Sequence, residues 1–191
     1  VLIIGGGLVG VELSGEIFCK YGKEKKVTIV HAGNKLIERN SKKAINYVEK
    51  YLKKRGAKII CNEKAGKNQG KFYITDKGTK IKADIAFLCT GITPNFSLLK
   101  KNFSQAINDK NQVIVNENLQ LNGTMNIFAA GDLTSISEEK TAQNAERQAE
   151  IVAQNIIALE NNKELKKYTP RKTPMVISLG KYFGILDTKN Y

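Results

Sequence analysis

The segment 1–16, VLIIGGGLVGVELSGE, leaves this chain few folds to choose from. Val1, Leu2, Ile3 and Ile4 form a short apolar run of the kind a buried strand requires, and Gly5-Gly6-Gly7-Leu8-Val9-Gly10 follows it directly. Apolar residues then recur at helical spacing at Val9, Leu13, Ile17 and Tyr21. Strand, glycine turn and helix in that order make a phosphate-binding unit. Gly5 lets the chain turn off the strand, Gly7 lets backbone approach a pyrophosphate, and Gly10 lets helix pack against sheet. The unpaired N–H groups and positive dipole end of the helix then face the phosphates. A G-x-G-x-x-G pattern alone is weak; its placement between a strand and a helix is what gives it weight.

The segments downstream extend the unit. Val27-Thr28-Ile29-Val30 reads as a second strand. In a dinucleotide fold the residue closing that strand sits by the adenosine ribose, where an acidic side chain binds both hydroxyls and repels a 2′-phosphate. Here that residue is His31. Imidazole does not repel phosphate, so NADPH is expected to be tolerated beside NADH; the alternative is that His31 merely points to solvent. Ser41 is placed to cap a helix carrying Ala44, Ile45, Val48, Tyr51 and Leu52 and ending at Gly56. Lys58-Ile59-Ile60-Cys61 returns as a strand, which gives the alternation of a parallel crossover sheet. Phe72 and Ile74 alternate into Asp76-Lys77-Gly78, and Ile81 and Ala83 alternate out, predicting an antiparallel ribbon. Asp84 to Cys89 reads as a buried strand ending in Thr90-Gly91.

From Lys100 to Gln112 the chain turns polar, and a second unit is expected beyond. It holds short strand candidates at Val113–Val115 and Leu119–Leu121, then a buried strand at Ile127–Ala130 closed by Gly131-Asp132. A helix from Thr141 to Leu159 would present Ala145, Ala149, Val152, Ile156 and Leu159 on one face. A polar connector, 160–172, leads to a last strand starting at Met175. The predicted class is α/β, with domains at 1–112 and 113–191.

Composition narrows the chemistry. No apolar run approaches the roughly 20 residues of a membrane-spanning helix. Lys and Arg give a formal net charge of +13, but the lysines are dispersed, so compositional drift and solvated faces are a better reading than a nucleic-acid surface. The three cysteines, Cys19, Cys61 and Cys89, form no C-x-x-C pair, and Cys19 and Cys89 read as small core residues in a reducing intracellular compartment. With His31 as the only histidine, a metal centre is not expected. A chain whose first residue is already in a core strand is expected to lack a preceding segment, so no targeting signal can be read.

Three motifs in order carry a resemblance: GGGLVGVE, then Thr90-Gly91-x-x-Pro94-Asn95, then Phe128-Ala129-Ala130-Gly131-Asp132. Together they resemble the NAD(P)H-dependent flavoprotein reductases of the pyridine nucleotide-disulfide oxidoreductase superfamily. VTIVHAG, DIAFLCTG, NIFAAGDLT and KTAQNAERQAEIVAQNI look like its ferroptosis-suppressor and apoptosis-inducing-factor-like branch, with type II NADH dehydrogenases next. The resemblance implies a Rossmann-like NAD(P)H domain at 1–112 followed by the C-terminal part of an FAD domain. It assigns Gly5, Gly7, Leu8, Val9 and Gly10 to the NAD(P)H pyrophosphate and Thr90 and Gly91 to a turn against the dinucleotide. Glu12 would lie near nicotinamide and flavin, in the helix's first turn; alternatively it is a helix-end charge. Asp132, beside Gly131, would accept from the FAD ribityl chain, and Lys140, Thr141 and Ala142 would meet the flavin pyrimidine edge; Lys140 also reads as a surface lysine. Gln143 would reach toward an acceptor. The implied activity is hydride transfer from NAD(P)H to FAD and onward to a quinone-type acceptor, with peripheral membrane contact through segments outside this chain. The competing reading is a basic nucleotide-responsive module binding nucleic acid or an acidic surface, or a piece that binds NAD(P)H without turnover.

Overall fold

A computed structural model of the chain describes residues 1–171 and 173–188. Contacts divide it into two compact units, Val1–Gly91 with Thr173–Tyr191, and Ile92–Lys172. The division thus falls at Gly91 where the sequence suggested Gln112, and the segment after 172 folds with the first unit. That division concerns compactness and does not decide which segment holds which cofactor. Lys172 of the expected connector and residues 189–191 lie outside the described residues.

The first unit is built on β1 (Leu2–Ile4), α1 (Leu8–Tyr21), β2 (Thr28–Val30), α2 (Lys42–Lys54) and β3 (Lys58–Ile60). A three-stranded ribbon follows, β4 (Ala65–Gln69), β5 (Phe72–Thr75) and β6 (Lys80–Lys82), before β7 (Ala86–Leu88). The main sheet runs β3-β2-β1-β7 with every neighbouring pair parallel, as the strand–helix alternation requires. Strand alternation then sorts the core into two layers. Ile3 and Ile29 are fully buried and pack with Val11 and Phe18 of α1 and Val48 and Leu52 of α2. Leu2, Ile4 and Val30 point to the other face, against Ile81 and Ala83 at the ribbon. Each fully buried side chain of this size contributes roughly 1.5–3 kcal/mol.

Local signals account for the element ends. The Ser41 hydroxyl accepts the Ala44 N–H at 3.1 Å and opens α2, which stops at Lys54 just before Gly56 at φ 97°. Gly78 at φ 83° makes the β5–β6 turn. The ribbon carries one strand more than expected, β4, paired antiparallel to β5 across a register shift between Ala65 and Asn68. Strand β7 was expected to be buried; as the sheet's edge it leaves Leu88 79% exposed. Beyond it, β8 (Met175–Ser178) and β9 (Gly184–Asp187) form an antiparallel hairpin, not one last strand, and Ile177 and Leu179 are fully buried in the α1–α2 core. Cys19, expected as core, is exposed; it lies against Gly180 beyond β8.

The second unit contains α3 (Ser97–Lys100), a short 3-10 turn (Ser104–Ala106) and α4 (Ala142–Glu160) around a small core of Ala106, Val113 and Leu121. The strands expected at 113–115, 119–121 and 127–130 reduce to isolated bridges, such as Val115 with Leu121 and Gln120 with Phe128. Side-chain amides close the turns between them: the Asn116 Oδ1 accepts the N–H groups of Asn118 and Gln120, and the Asn108 Oδ1 those of Lys110 and Gln112. Helix α4 also departs from expectation. Its buried residues are polar, Asn144, Gln148 and Asn155, whereas Ile156, placed by periodicity on the apolar face, is 46% exposed. Among the described residues no helix is long and apolar enough to cross a membrane.

Candidate functional site

The glycine turn of the first unit has the geometry its sequence promised. Gly5, at φ 115°, sits where a Cβ would run into the Cys89 carbonyl at the end of the neighbouring strand. A Cβ on Gly10 would meet the Gly5 carbonyl oxygen, so this glycine sets how closely α1 approaches β1. Gly7 is different: a Cβ there would find nothing within 4 Å. The open space lies at the N-cap of α1, whose Gly7 cap has no side-chain hydrogen bond, and the first intrahelical bond runs from the Val11 N–H to the Gly7 carbonyl at 3.1 Å. The N–H groups of Leu8, Val9 and Gly10 therefore have no intrahelical acceptor. A clear approach, uncommitted amide donors and a positive helix end fit a dinucleotide pyrophosphate. No acidic side chain lies in that first turn to compete with it.

Three flanking residues behave less simply. Helix α1 begins at Leu8, so Glu12 stands in the second turn, not the first, and dipole stabilisation at the terminus does not explain it. One of its carboxylate oxygens accepts the Ser178 N–H at 3.1 Å, tying α1 to β8. His31 does not simply face solvent: its Nδ1 accepts the Gly6 N–H at 3.1 Å and its Nε2 lies 3.9 Å from a Glu38 carboxylate oxygen. Thr90 is exposed just after β7, and Gly91 turns the chain at φ 114°.

In the second unit a separate cluster forms at the N-terminal end of α4. Gly131, at φ 84°, donates its N–H to the Gln148 Oε1 at 2.6 Å, and the exposed Asp132 follows. Lys140 is partly buried, not a free surface lysine; its Nζ donates to the Thr134 and Ile136 carbonyls at 2.8 and 3.0 Å. Burial pushes its pKa down, while the Glu138 and Asp132 carboxylates pull it back up. Thr141 caps α4 through its hydroxyl, which accepts the Asn144 N–H at 3.3 Å, and Ala142 is the first helical residue. Asp132 is thus within electrostatic reach of Lys140 at a helix start, a set suited to a polyhydroxyl chain and an anionic ring edge.

Sequence reasoning missed the residues that hold this cluster together. Gln148 bridges the Gly131 N–H to Glu138 by donating to its Oε1 at 2.6 Å, and Tyr168 donates its hydroxyl to the same oxygen at 2.6 Å. Arg147 stands 3.8 Å from the other Glu138 oxygen, which together with the Asn144 Oδ1 is buried and has no hydrogen bond among the described residues. Asn155 clasps two loops, donating to the Asn118 and Lys166 carbonyls and accepting the Lys166 N–H. The available signal was the recurrence of Asn144, Gln148 and Asn155 at helical spacing, a polar stripe where an apolar one was sought. Gln148→Leu is expected to cost about 1–3 kcal/mol, because it strands the Gly131 N–H and removes a donor from Glu138. The urea midpoint of the full chain would show this, and an unchanged midpoint would mean water replaces the amide.

The pyridine nucleotide-disulphide oxidoreductase family profile matches residues 1–149. Apoptosis-inducing factor homolog A of Dictyostelium discoideum is 38% identical, over 94% of this chain and 50% of its own length. Ferroptosis suppressor protein 1 of Homo sapiens is 30% identical, over 97% of this chain and 52% of its own. The chain therefore spans about half the length of these curated relatives. Among solved structures, a water-forming NADH oxidase from Lactobacillus brevis bound to NADH matches with a TM-score of 0.76 at 23% identity, covering 93% of this chain and 40% of that one. An HOCl-induced flavoprotein disulfide reductase from Escherichia coli gives 0.73 at 24%, covering 92% and 39%. These two likenesses establish the fold. Enzymes of the matched family are FAD-dependent and use NADH or NADPH. On its profile match, its relatives and its strand–glycine–helix unit, this chain belongs to the pyridine nucleotide-disulphide oxidoreductase family.

Proposed function

We propose that the chain supplies the NAD(P)H-binding unit and part of the FAD-binding unit of a flavoprotein oxidoreductase that delivers electrons from NAD(P)H to a quinone-type acceptor. The observation that carries this is the open helix terminus at Gly7, with three first-turn N–H groups and no side-chain cap. FAD, when bound, supplies the hydride acceptor and the relay from two-electron donor to acceptor. The residues of this chain bind and orient. Leu8, Val9 and Gly10 offer N–H groups to the pyrophosphate, and Thr90-Gly91 forms the turn beside it. Glu12, held by Ser178, is assigned to the nicotinamide side, and Asp132 to the ribityl hydroxyls. Lys140, Thr141 and Ala142 present the start of α4 to the flavin pyrimidine edge. Lys140 acts there chiefly by holding the loop 134–140, since two of its three donors are committed to carbonyls.

The quinone-type acceptor is supported by the likeness to the ferroptosis-suppressor proteins. The cysteines speak against thiol chemistry in this segment: Cys19, Cys61 and Cys89 are unpaired, and burial pushes the Cys61 and Cys89 thiols up, away from reactive thiolate. Three unpaired thiols also support placing the protein in a reducing intracellular compartment. Two measurements test the reading in the full-length protein. Stopped-flow mixing with NADH should bleach the flavin, and a soluble ubiquinone analogue should restore its absorbance; failure of the second step alone would exclude the quinone. Asp132→Ala should lose most of the bound FAD, and wild-type occupancy would remove Asp132 from the site.

A further inference from the structure

The acidic residue expected beside the adenosine ribose is absent from the end of β2, where His31 stands, yet a carboxylate reaches the same place from seven residues on. Glu38 lies on a turn strapped to the glycine loop: the Ile37 N–H donates to the Gly6 carbonyl at 2.8 Å, and Leu36 and Ile37 are buried in the core. Ile37 adopts φ 44°, unusual for a β-branched residue, and that left-handed step turns the chain back toward His31. The Glu38 Oε1 then accepts the Asn34 N–H at 2.6 Å and the Lys35 N–H at 3.4 Å, and lies 3.9 Å from the His31 Nε2. Its carboxylate also rests on Gly33, where an added Cβ would collide with it. The side chain is 44% exposed, and among the described residues its Oε2 accepts no hydrogen bond.

His31 is meanwhile turned inward. An Nδ1 that accepts the Gly6 N–H carries no hydrogen, so in the neutral ring the N–H is at Nε2, on the Glu38 side. The residue at the strand end thus braces the glycine loop, and the neighbouring turn presents the negative charge.

We infer that Glu38 makes this site prefer NADH to NADPH, its fixed carboxylate accepting from the ribose hydroxyls and repelling a 2′-phosphate. This rests on the NAD(P)H-binding reading above and reverses the sequence expectation that His31 leaves NADPH tolerated. Two cations share the turn, Lys35 and Arg39, and would favour the phosphate if they dominated. Glu38 prevails because two backbone N–H groups fix its charge beside His31.

Calorimetric titration of the full chain with NADH and with NADPH tests this without turnover. The wild type should bind NADPH about 10- to 100-fold more weakly than NADH, the range expected for a carboxylate a few ångströms from a phosphate in partly screened surroundings. Glu38→Gln should narrow the ratio to about threefold or less. Gly33→Ala, whose Cβ displaces the carboxylate without touching its charge, should narrow it part of the way. Equal affinities in the wild type, tighter NADPH binding, or a ratio unmoved by Glu38→Gln would each overturn the role of Glu38 alone. No heat with either coenzyme would overturn the dinucleotide reading as well.

Discussion

Gly7→Ala is expected to weaken NADH binding by roughly 10- to 100-fold while leaving the fold untouched, and Gly10→Ala, three residues on, to do damage of the opposite kind. Gly7 sits at φ −75° and ψ −171°, a conformation any residue adopts, and its Cβ direction is empty. The unfolding midpoint should therefore stay level or rise slightly, since alanine restricts the unfolded chain at a cost of nothing in the folded one, an effect of about 0.4–1 kcal/mol. What the methyl group occupies is the approach to the first-turn N–H groups, and losing one or two charge-assisted bonds there removes about 1.5–3 kcal/mol each. At Gly10 the methyl would strike the Gly5 carbonyl and the Ile3 side chain. Backbone against backbone has no rotamer to relieve it, so about 1–3 kcal/mol of overpacking strain or more is expected, with binding lost only as the unit unfolds. Thermal unfolding and NADH titration of both variants separate the effects. Should Gly7→Ala bind NADH as tightly as the parent, the pyrophosphate does not lie on this helix end.

The features legible from sequence were those whose cause is local. A glycine run between a strand and a helix, Ser41 as a cap and Asp76-Lys77-Gly78 as a turn each act within a few residues, and each is present as read. Features set by distant partners were not legible. Strand β4 has little apolar character of its own in Ala65–Gln69 and exists because β5 supplies its ladder. In 127–130 the reverse holds: the run is apolar enough for a strand, but its pairing is limited to the Leu121 N–H on the Ile127 carbonyl and the Ala129 N–H on the Leu119 carbonyl, too short a ladder to make one. Periodicity misled on α4 because it weighs only apolar residues, while this helix buries amides that satisfy loop backbone. The carboxylate of Glu38 was invisible for a related reason. A residue seven places past His31 returns to that side chain only through the left-handed turn at Ile37 and the Gly6 bond, neither of which leaves a composition mark.

Ile177→Ala is expected to destabilise the first unit by about 2–5 kcal/mol, whereas Val176→Ala, one residue earlier, should stay within about 0.5 kcal/mol. Ile177 is fully buried and Val176 is 72% exposed, because alternate residues of β8 point to opposite faces. The hairpin does more than cover the core. Its Ser178 N–H holds Glu12 on α1, the Leu179 carbonyl accepts the Tyr51 hydroxyl of α2 at 2.9 Å, and Asp187 accepts the Ser41 N–H at 2.9 Å where α2 begins. Glu12 lies on the helix that the glycine turn opens, so the loss of Ile177 should lower NADH affinity along with stability. Urea unfolding of the full chain measures the first effect and titration of folded protein the second. If the two alanine variants unfold at the same midpoint, the hairpin is not part of the nucleotide-binding core, and Glu12 lacks the anchor that fixes its carboxylate.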